Sequence, residues 1–281
     1  MKIRLLSTIL AATVVATASA ATVSVNSGSL GAAGNASNAD GVQLNQTGPL
    51  GSPFDTAVRY SAGANTTLAF KSAVNPSSSS PFTIEFWTQP DVDPGDGPGP
   101  SPMFNRVSSS PRSGWVFFQR SATTGWNFAM YNGNGSEVGI SLTGGNYTVG
   151  QWAHVVVTFD GTTPSLYVNG TNTGAVANVI PFNGNSGYNA STSATFSIGA
   201  YDTGSNPYSG AVDETAFYNT ALSASDILAH FNAAASSDPN AYANTVLANN
   251  PVLYYRNAQV PEPGAAALLA LSLAGIVRRR R

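Results

Sequence analysis

The pattern of hydrophobic and polar positions is organised around the stretch from Gln151 to Gly170, QWAHVVVTFDGTTPSLYVNG. Trp152 to Phe159 is rich in aromatic and β-branched residues, which suit a packed, pleated surface. Asp160-Gly161 begins a loop closed by Pro164. The second run, Leu166-Tyr167-Val168, stops at Asn169-Gly170, a dipeptide that takes positive φ readily in a tight turn. Strand, loop, strand and tight turn predict a β-meander. Trp152, His154 and Val156 fall on one face, and Ala153, Val155, Val157 and Phe159 on the other. Both faces are mostly apolar, so the first strand is expected deep between two layers.

The two-residue period recurs along the chain. Phe82, Ile84 and Phe86 share one face of Pro81 to Thr88, with Thr83, Glu85 and Trp87 on the other. Short strands are expected at Thr22 to Val25, Ala57 to Ser61 and Thr66 to Phe70, with Gly63 in a turn between the last two. Apart from that first edge strand, residues 22–52 read as loops. Further strands are expected at Met103-Phe104, Trp115 to Phe118, Trp126 to Met130, Val138 to Leu142, Val176 to Ile180, Thr195 to Gly199 and Tyr208 to Tyr218. Gly-bearing turns at this spacing indicate a sandwich or barrel. Gln89 to Pro102 is too rich in Pro and Gly to pair in a sheet and reads as a mobile surface loop with solvated acids. One helix is expected at Leu222 to Ala235, with Ser223 and Asp226 as a capping box and Ile227, Leu228 and Phe231 as its apolar stripe. Residues 242–257 fit either a closing edge strand or a linker.

Composition agrees with an all-β chain. The 281 residues include no cysteine and few charges, and such a length can bury a sizeable core without disulfides. The formal charge of −2 hides an asymmetry, because residues 21–260 hold 6 basic against 13 acidic groups, a net of −7. That balance excludes an electrostatic footprint for nucleic acid.

The two ends have their own chemistry. Lys2 and Arg4 precede an apolar run from Leu5 to Val15, then Ala18-Ser19-Ala20, which is the layout of a secretory signal peptide cleaved after Ala20. At the other end Pro261-Glu262-Pro263 precedes an apolar stretch, residues 265–277, and then Arg278, Arg279, Arg280 and Arg281. As a helix, those thirteen residues reach roughly 20 Å, short of a ~30 Å hydrocarbon core. Motif, short apolar helix and basic cluster closely resemble the PEP-CTERM sorting signal of Gram-negative bacteria. The resemblance implies transient anchoring in the inner membrane through the C-terminal helix. It also implies processing by an exosortase and delivery to the cell surface or exopolysaccharide matrix.

In the body, W-x-H-V-V-V-T-F-D-G with L-Y-V-N-G, then F-T-I-E-F-W, then F-S-I-G and G-A-V-D-E resemble laminin-G-like domains of the concanavalin A-like lectin/glucanase superfamily. The resemblance runs over about residues 55–235. It implies an all-β fold, an antiparallel jelly-roll β-sandwich with one short helix near the C-terminal end of the domain. The expected organisation is leader 1–20, sandwich 21–240, linker or closing strand 241–259 and sorting tail 260–281. Related domains often carry a structural calcium at the sandwich rim. Asp213, in the D-E motif with Glu214 beside it, is the candidate ligand; the plainer alternative is that it caps a turn.

Glucanases of the superfamily act through acidic residues. A retaining glycosidase needs two carboxyl groups about 5–5.5 Å apart, whereas Glu85 has Thr83 and Trp87 at the alternate positions. A structural Glu85 is therefore expected, and His154 reads as a satisfied core histidine far in sequence from His230. Sugar sites combine aromatic platforms with amide and carboxylate groups. Tyr131, Asn132 and Asn134, and Tyr201, Asp202 and Asn206, have that composition, although ordinary turn chemistry accounts for them equally. The expected function is an exported, non-catalytic surface or matrix protein binding a polysaccharide. Its alternatives are a purely structural sandwich or a glycoside hydrolase or lyase.

Overall fold

A computed structural model describes residues 23–51, 55–97 and 99–256. The leader with Ala18 and Ala20, and the tail with Pro261, Glu262, Pro263 and Arg278 to Arg281, lie outside the described residues. Among the described residues no helix is long and apolar enough to cross a membrane.

Two antiparallel sheets face each other. The first has nine strands, in the order Val23–Ser24, Ala36–Asn38, Thr66–Leu68, Phe196–Ile198, Met103–Arg106, Ser113–Gln119, Trp126–Asn132, Val138–Gly144 and Asn178–Val179. The second runs Thr171–Asn172, Pro164–Val168, Ala153–Phe159, Phe82–Pro90, Gly210–Tyr218, Thr56–Tyr60 and Gln43–Thr47. Leu253–Tyr255 adds an eighth strand to it, paired with Thr215 to Phe217. Thr56–Tyr60 and Thr66–Leu68, neighbours in sequence, belong to opposite sheets, so the Gly63 turn crosses between layers.

Alternation decides the core. Phe82, Ile84, Phe86, Val155, Val157 and Phe159 point inward and meet Trp115, Phe117, Trp126, Phe128 and Met130 of the nine-stranded sheet. Ile84 lies opposite both Val157 and Phe217, which fixes the register of the three central strands. Phe86 meets Phe117 edge-on at 5.1 Å, a favoured geometry for aromatic rings across two sheets.

The meander stands as expected, with Asn169 and Gly170 at φ 51° and 74°. Its first strand does lie between two layers, but the second layer is helical. Helices α1 (Ala224–Ala233) and α2 (Ala241–Ala248) cover the outer face of the eight-stranded sheet against Trp87, Val156, Tyr167 and Tyr218. Helix α1 has the Ser223/Asp226 capping box. Its buried stripe differs from the expected one: Leu228 is exposed, and Ile227 and His230 face inward. Helix α2 was not foreseen, since its N-cap Asn240 makes no side-chain capping bond and its sequence has little amphipathic pattern.

Two further expectations change. The described residues 23–51 hold three strands, two of them, Ala36–Asn38 and Gln43–Thr47, too polar to show a hydrophobic period. The acids of the Gln89 to Pro102 segment do not simply face solvent. Asp91 pairs with Arg59, Asp93 accepts the Ala122 N–H, and Asp96 accepts the Ser121 N–H and hydroxyl. The loop is therefore fastened to the sandwich by its carboxylates, and Gln89 and Pro90 belong to the preceding strand.

Candidate functional site

Three groups of polar side chains sit where a β-sandwich would otherwise be apolar. The first lies under the helices. Glu85 has no exposed surface, and both its oxygens are closed. Oε1 accepts from His154 Nε2 at 2.8 Å and from the Tyr242 hydroxyl at 2.8 Å. Oε2 accepts from the Tyr218 hydroxyl at 2.8 Å and from His230 Nδ1 at 2.9 Å. The two histidines, 76 positions apart in sequence, thus meet on one carboxylate. Burial alone would raise the Glu85 carboxyl, but the charge and hydrogen bonds of His230 and His154 outweigh it and hold it well below the usual carboxylate range. Burial likewise opposes a charge on His230, and the Glu85 carboxylate overrides it and raises His230. This cluster ties α1 and α2 to the sheet and offers no oxygen to a substrate.

The second group is acidic and lies at the sandwich rim. Asp55, Asp213 and Glu214 each place an oxygen within 4.8 Å of the others. Glu214 sits at φ 50°, where the ladder between Gly210–Tyr218 and Phe82–Pro90 is interrupted, and the irregularity turns consecutive acids toward one place. Residue 48 closes over them: a Cβ there would lie 2.0 Å from Asp55 Oδ2, so only glycine fits. The Leu50 N–H donates to Asp55 Oδ2 at 2.8 Å. Burial raises Asp55 and pushes Glu214 up to about 8, against a hydrogen bond from Tyr254 and the charge of Arg256. An all-oxygen donor set whose charges are under-compensated fits a hard cation such as calcium. Asp55 carried no sequence signal, because it reaches Asp213 only through the pairing of Thr56–Tyr60 with Gly210–Tyr218.

The third group occupies the outer face of the nine-stranded sheet. Tyr131 and Tyr201, 70 positions apart, come together there with Phe104 and Val116. Phe104 stacks on Tyr201 at 4.3 Å, and the Arg106 guanidinium lies 5.0 Å from the Tyr131 ring centre and 4.8 Å from that of Tyr201. The remaining sugar candidates divide. Asn132 donates to Glu137 and to the Ile180 carbonyl, and Asn134 donates to Glu137, so both are held in their own turn. Asn206 donates to the Gly99 carbonyl, and Asp202 is exposed on the neighbouring turn. Beside Tyr131 opens a cleft of about 310 Å³ lined by Ser78, Asn132, Gly133, Phe182, Asn183, Gly184, Asn185 and Asn189. A second cleft, about 370 Å³, lies on the opposite sheet between Trp87, Trp152 and Phe231. Trp87 and Phe231 stack on each other there at 5.9 Å.

The sequence profile of the concanavalin A-like lectin/glucanases superfamily matches residues 62–228, more than half of the chain. The chain belongs to this superfamily. A PEP-CTERM protein-sorting motif matches residues 259–281. No curated relative matches the chain. Among solved structures, it is similar to botulinum neurotoxin type C, in work describing that toxin's cell entry as dependent on two ganglioside molecules. That match has 21% identity and a TM-score of 0.53, covering 73% of this chain and 48% of that one. The binding domain of Paraclostridial mosquitocidal protein 1 matches at 18% identity and a TM-score of 0.50, covering 75% and 47%. The binding domain of botulinum neurotoxin DC in complex with SialylT gives 18% and 0.51, covering 71% and 47%. This chain spans about half the length of those structures, and at such identity the likeness concerns the fold.

Within this member of the superfamily, the rim acids are buried. So are Tyr131 and Tyr201, which therefore do not form the expected sugar platform. The exposed polar groups near them are those of the cleft wall, Asn183 and Asn189. The Phe182 to Asn189 wall of the cleft was missed by sequence reasoning. Its residues read as plain loop, and non-local hydrogen bonds bring them to the sheet. The Asn189 N–H donates to the Tyr131 carbonyl at 2.8 Å, the Asn189 carbonyl accepts the Gly114 N–H at 2.8 Å, and the Asn185 side chain donates to the Asn132 carbonyl at 3.1 Å.

Proposed function

We propose that this is an exported, non-catalytic surface or matrix protein whose sandwich binds carbohydrate on the outer face of the nine-stranded sheet. The observation that carries the reading is the open, amide-rich cleft with Phe182 at its wall. Tyr131 and Tyr201 are buried beside it and support the sheet rather than offer a ring face. Asn183 and Asn189 are exposed at its wall, and Phe182 supplies an aromatic surface. Sugar recognition needs that combination of ring faces and orienting polar groups. The sorting motif supports export, exosortase processing and an exopolysaccharide setting. Asp55, Asp213 and Glu214 would hold a structural calcium, which neutralises the rim and adds no reaction step. Glu85, on which a hydrolytic reading would rest, is enclosed by four donors and cannot reach a polymer.

A glycan array probed with the purified protein tests this. Binding should fall at least about tenfold, roughly 1.4 kcal/mol, for Asn189→Ala and stay unchanged for Trp152→Ala. The reverse ranking would move the site to the Trp152 cleft, and an array with no binder would leave only a structural role.

A further inference from the structure

We infer that the carbohydrate taken by this face is acidic, and that Arg106 and Arg112 receive its carboxylate. This deepens the carbohydrate reading and rests on it. Arg106 is only 5% exposed, although it lies on the outer side of its sheet. Its guanidinium is surrounded by the rings of Phe104, Tyr131 and Tyr201. One Nη donates to the Val107 carbonyl at 3.0 Å, and Nε is buried without a hydrogen-bond partner. Arg112 lies 5.7 Å from the same Tyr131 ring, and its Nε is likewise buried without a partner. Both guanidinium groups lie over the Tyr131 ring, Arg106 at 5.0 Å and Arg112 at 5.7 Å from its centre, which places the two arginines side by side.

Neither arginine has a carboxylate within ion-pair distance among the described residues. Among the lysines and arginines of the described residues only Arg59 has such a pair, so what marks Arg106 and Arg112 is that both guanidinium groups lie over the one Tyr131 ring. Arg59 is paired with Asp91, and Arg256 lies in the field of Asp55 and Glu214. Glu137, near the cleft, is engaged by the amides of Asn132 and Asn134. Two partly desolvated cations without a counter-charge are costly, and an anion from outside would complete them. A planar carboxylate matches the guanidinium fork in two parallel hydrogen bonds.

The adjoining cleft indicates what carries that carboxylate. The Gly133 N–H donates to the Arg112 carbonyl at 3.2 Å, just beyond the Ser113–Asn132 pair of two neighbouring strands, so Arg112 adjoins the wall of the cleft. Amides beside the arginines suit the hydroxyls of a sugar ring. The net charge of the body disfavours a densely charged polyphosphate. The ligand class is thus a carboxylated sugar, such as a uronate residue within a polysaccharide.

Calorimetric titration of the purified protein with polygalacturonate, its carboxyl-reduced neutral form and sialyllactose tests this. Polygalacturonate should bind at least tenfold more tightly than the reduced polymer. Arg112→Gln should erase the difference and Arg112→Lys restore part of it, with thermal melts confirming that each variant is folded. Tight binding of sialyllactose alone, lost in Arg112→Gln, would support the carboxylate and name sialic acid as its source. Equal affinity for the charged and reduced polymers would overturn the acidic preference and leave the carbohydrate reading standing. A charge preference that survives Arg112→Gln and Arg106→Gln would overturn the assignment to these arginines.

Discussion

Glu85 persists as a buried carboxylate because four donors from two sheet strands and two helices converge on it. An isolated carboxylate there would cost several kcal/mol to desolvate. The pH dependence follows from the two shifted partners. Glu85 titrates below its ordinary 4.5, so its contribution is present above that value and is lost as pH falls through the lowered one. His230 titrates above its ordinary 6.5, so its contribution is present below that value and is lost as pH rises through the raised one. Stability from this cluster should therefore be greatest between about pH 5 and 6.5. Glu85→Gln should cost about 3 kcal/mol or more and flatten both limbs, as measured by urea unfolding across pH. An unchanged pH profile in that variant would separate the cluster from stability.

Among the elements, the meander and helix α1 depend on each other. The Asn169-Gly170 turn ends the meander directly against α1, where a Cβ on residue 170 would lie 3.0 Å from the Phe231 Cβ and 3.1 Å from a Leu228 methyl. Gly170 also holds φ 74°, a conformation that costs other residues about 1 kcal/mol. Gly170→Ala should therefore destabilise by about 1–2 kcal/mol, combining backbone strain with displacement of the helix. Hydrogen exchange should show the loss first in α1, and uniform loss across both sheets would contradict that coupling. Closing strand Leu253–Tyr255 and α2 act at the same scale. They bring Tyr254 to Glu214 and Tyr242 to Glu85, linking late residues to acids 40 and 157 positions earlier in the chain.

At the scale of the whole molecule, the two sheets present different outer faces. One is capped by helices and locked by the Glu85 cluster; the other carries the arginines, tyrosines and amide cleft. The rim acids join three distant parts of the chain: the turn at Gly48, the strand Gly210–Tyr218 and, through the Tyr254 hydroxyl on Glu214, the strand Leu253–Tyr255. A cation bound there would resist global unfolding. At a calcium concentration of about 100 Kd the gain is about 2.7 kcal/mol, or a rise in Tm of roughly 5–10 °C. The rise should vanish with chelator and in Asp213→Asn. Equal melts with calcium and chelator would dispose of the metal.

What the sequence determined by itself is whatever depends on local period and on contiguous motifs. Strict alternation in FTIEFW, and the run apolar on both faces in the meander, set which side chains are buried, since successive residues of a strand must point to opposite faces. Ser223 and Asp226 announce the start of α1 in the same local way, and the sorting tail is read as a contiguous motif. Polar strands such as Gln43–Thr47 escaped, because their place comes from pairing and they have no apolar period to display. Only the tertiary structure could bring His154 and His230 to Glu85, Asp55 to Asp213, and Arg106 and Tyr201 to Tyr131. Those meetings join residues from 25 to 158 positions apart, and sheet order, which sets such meetings, leaves no trace in local periodicity.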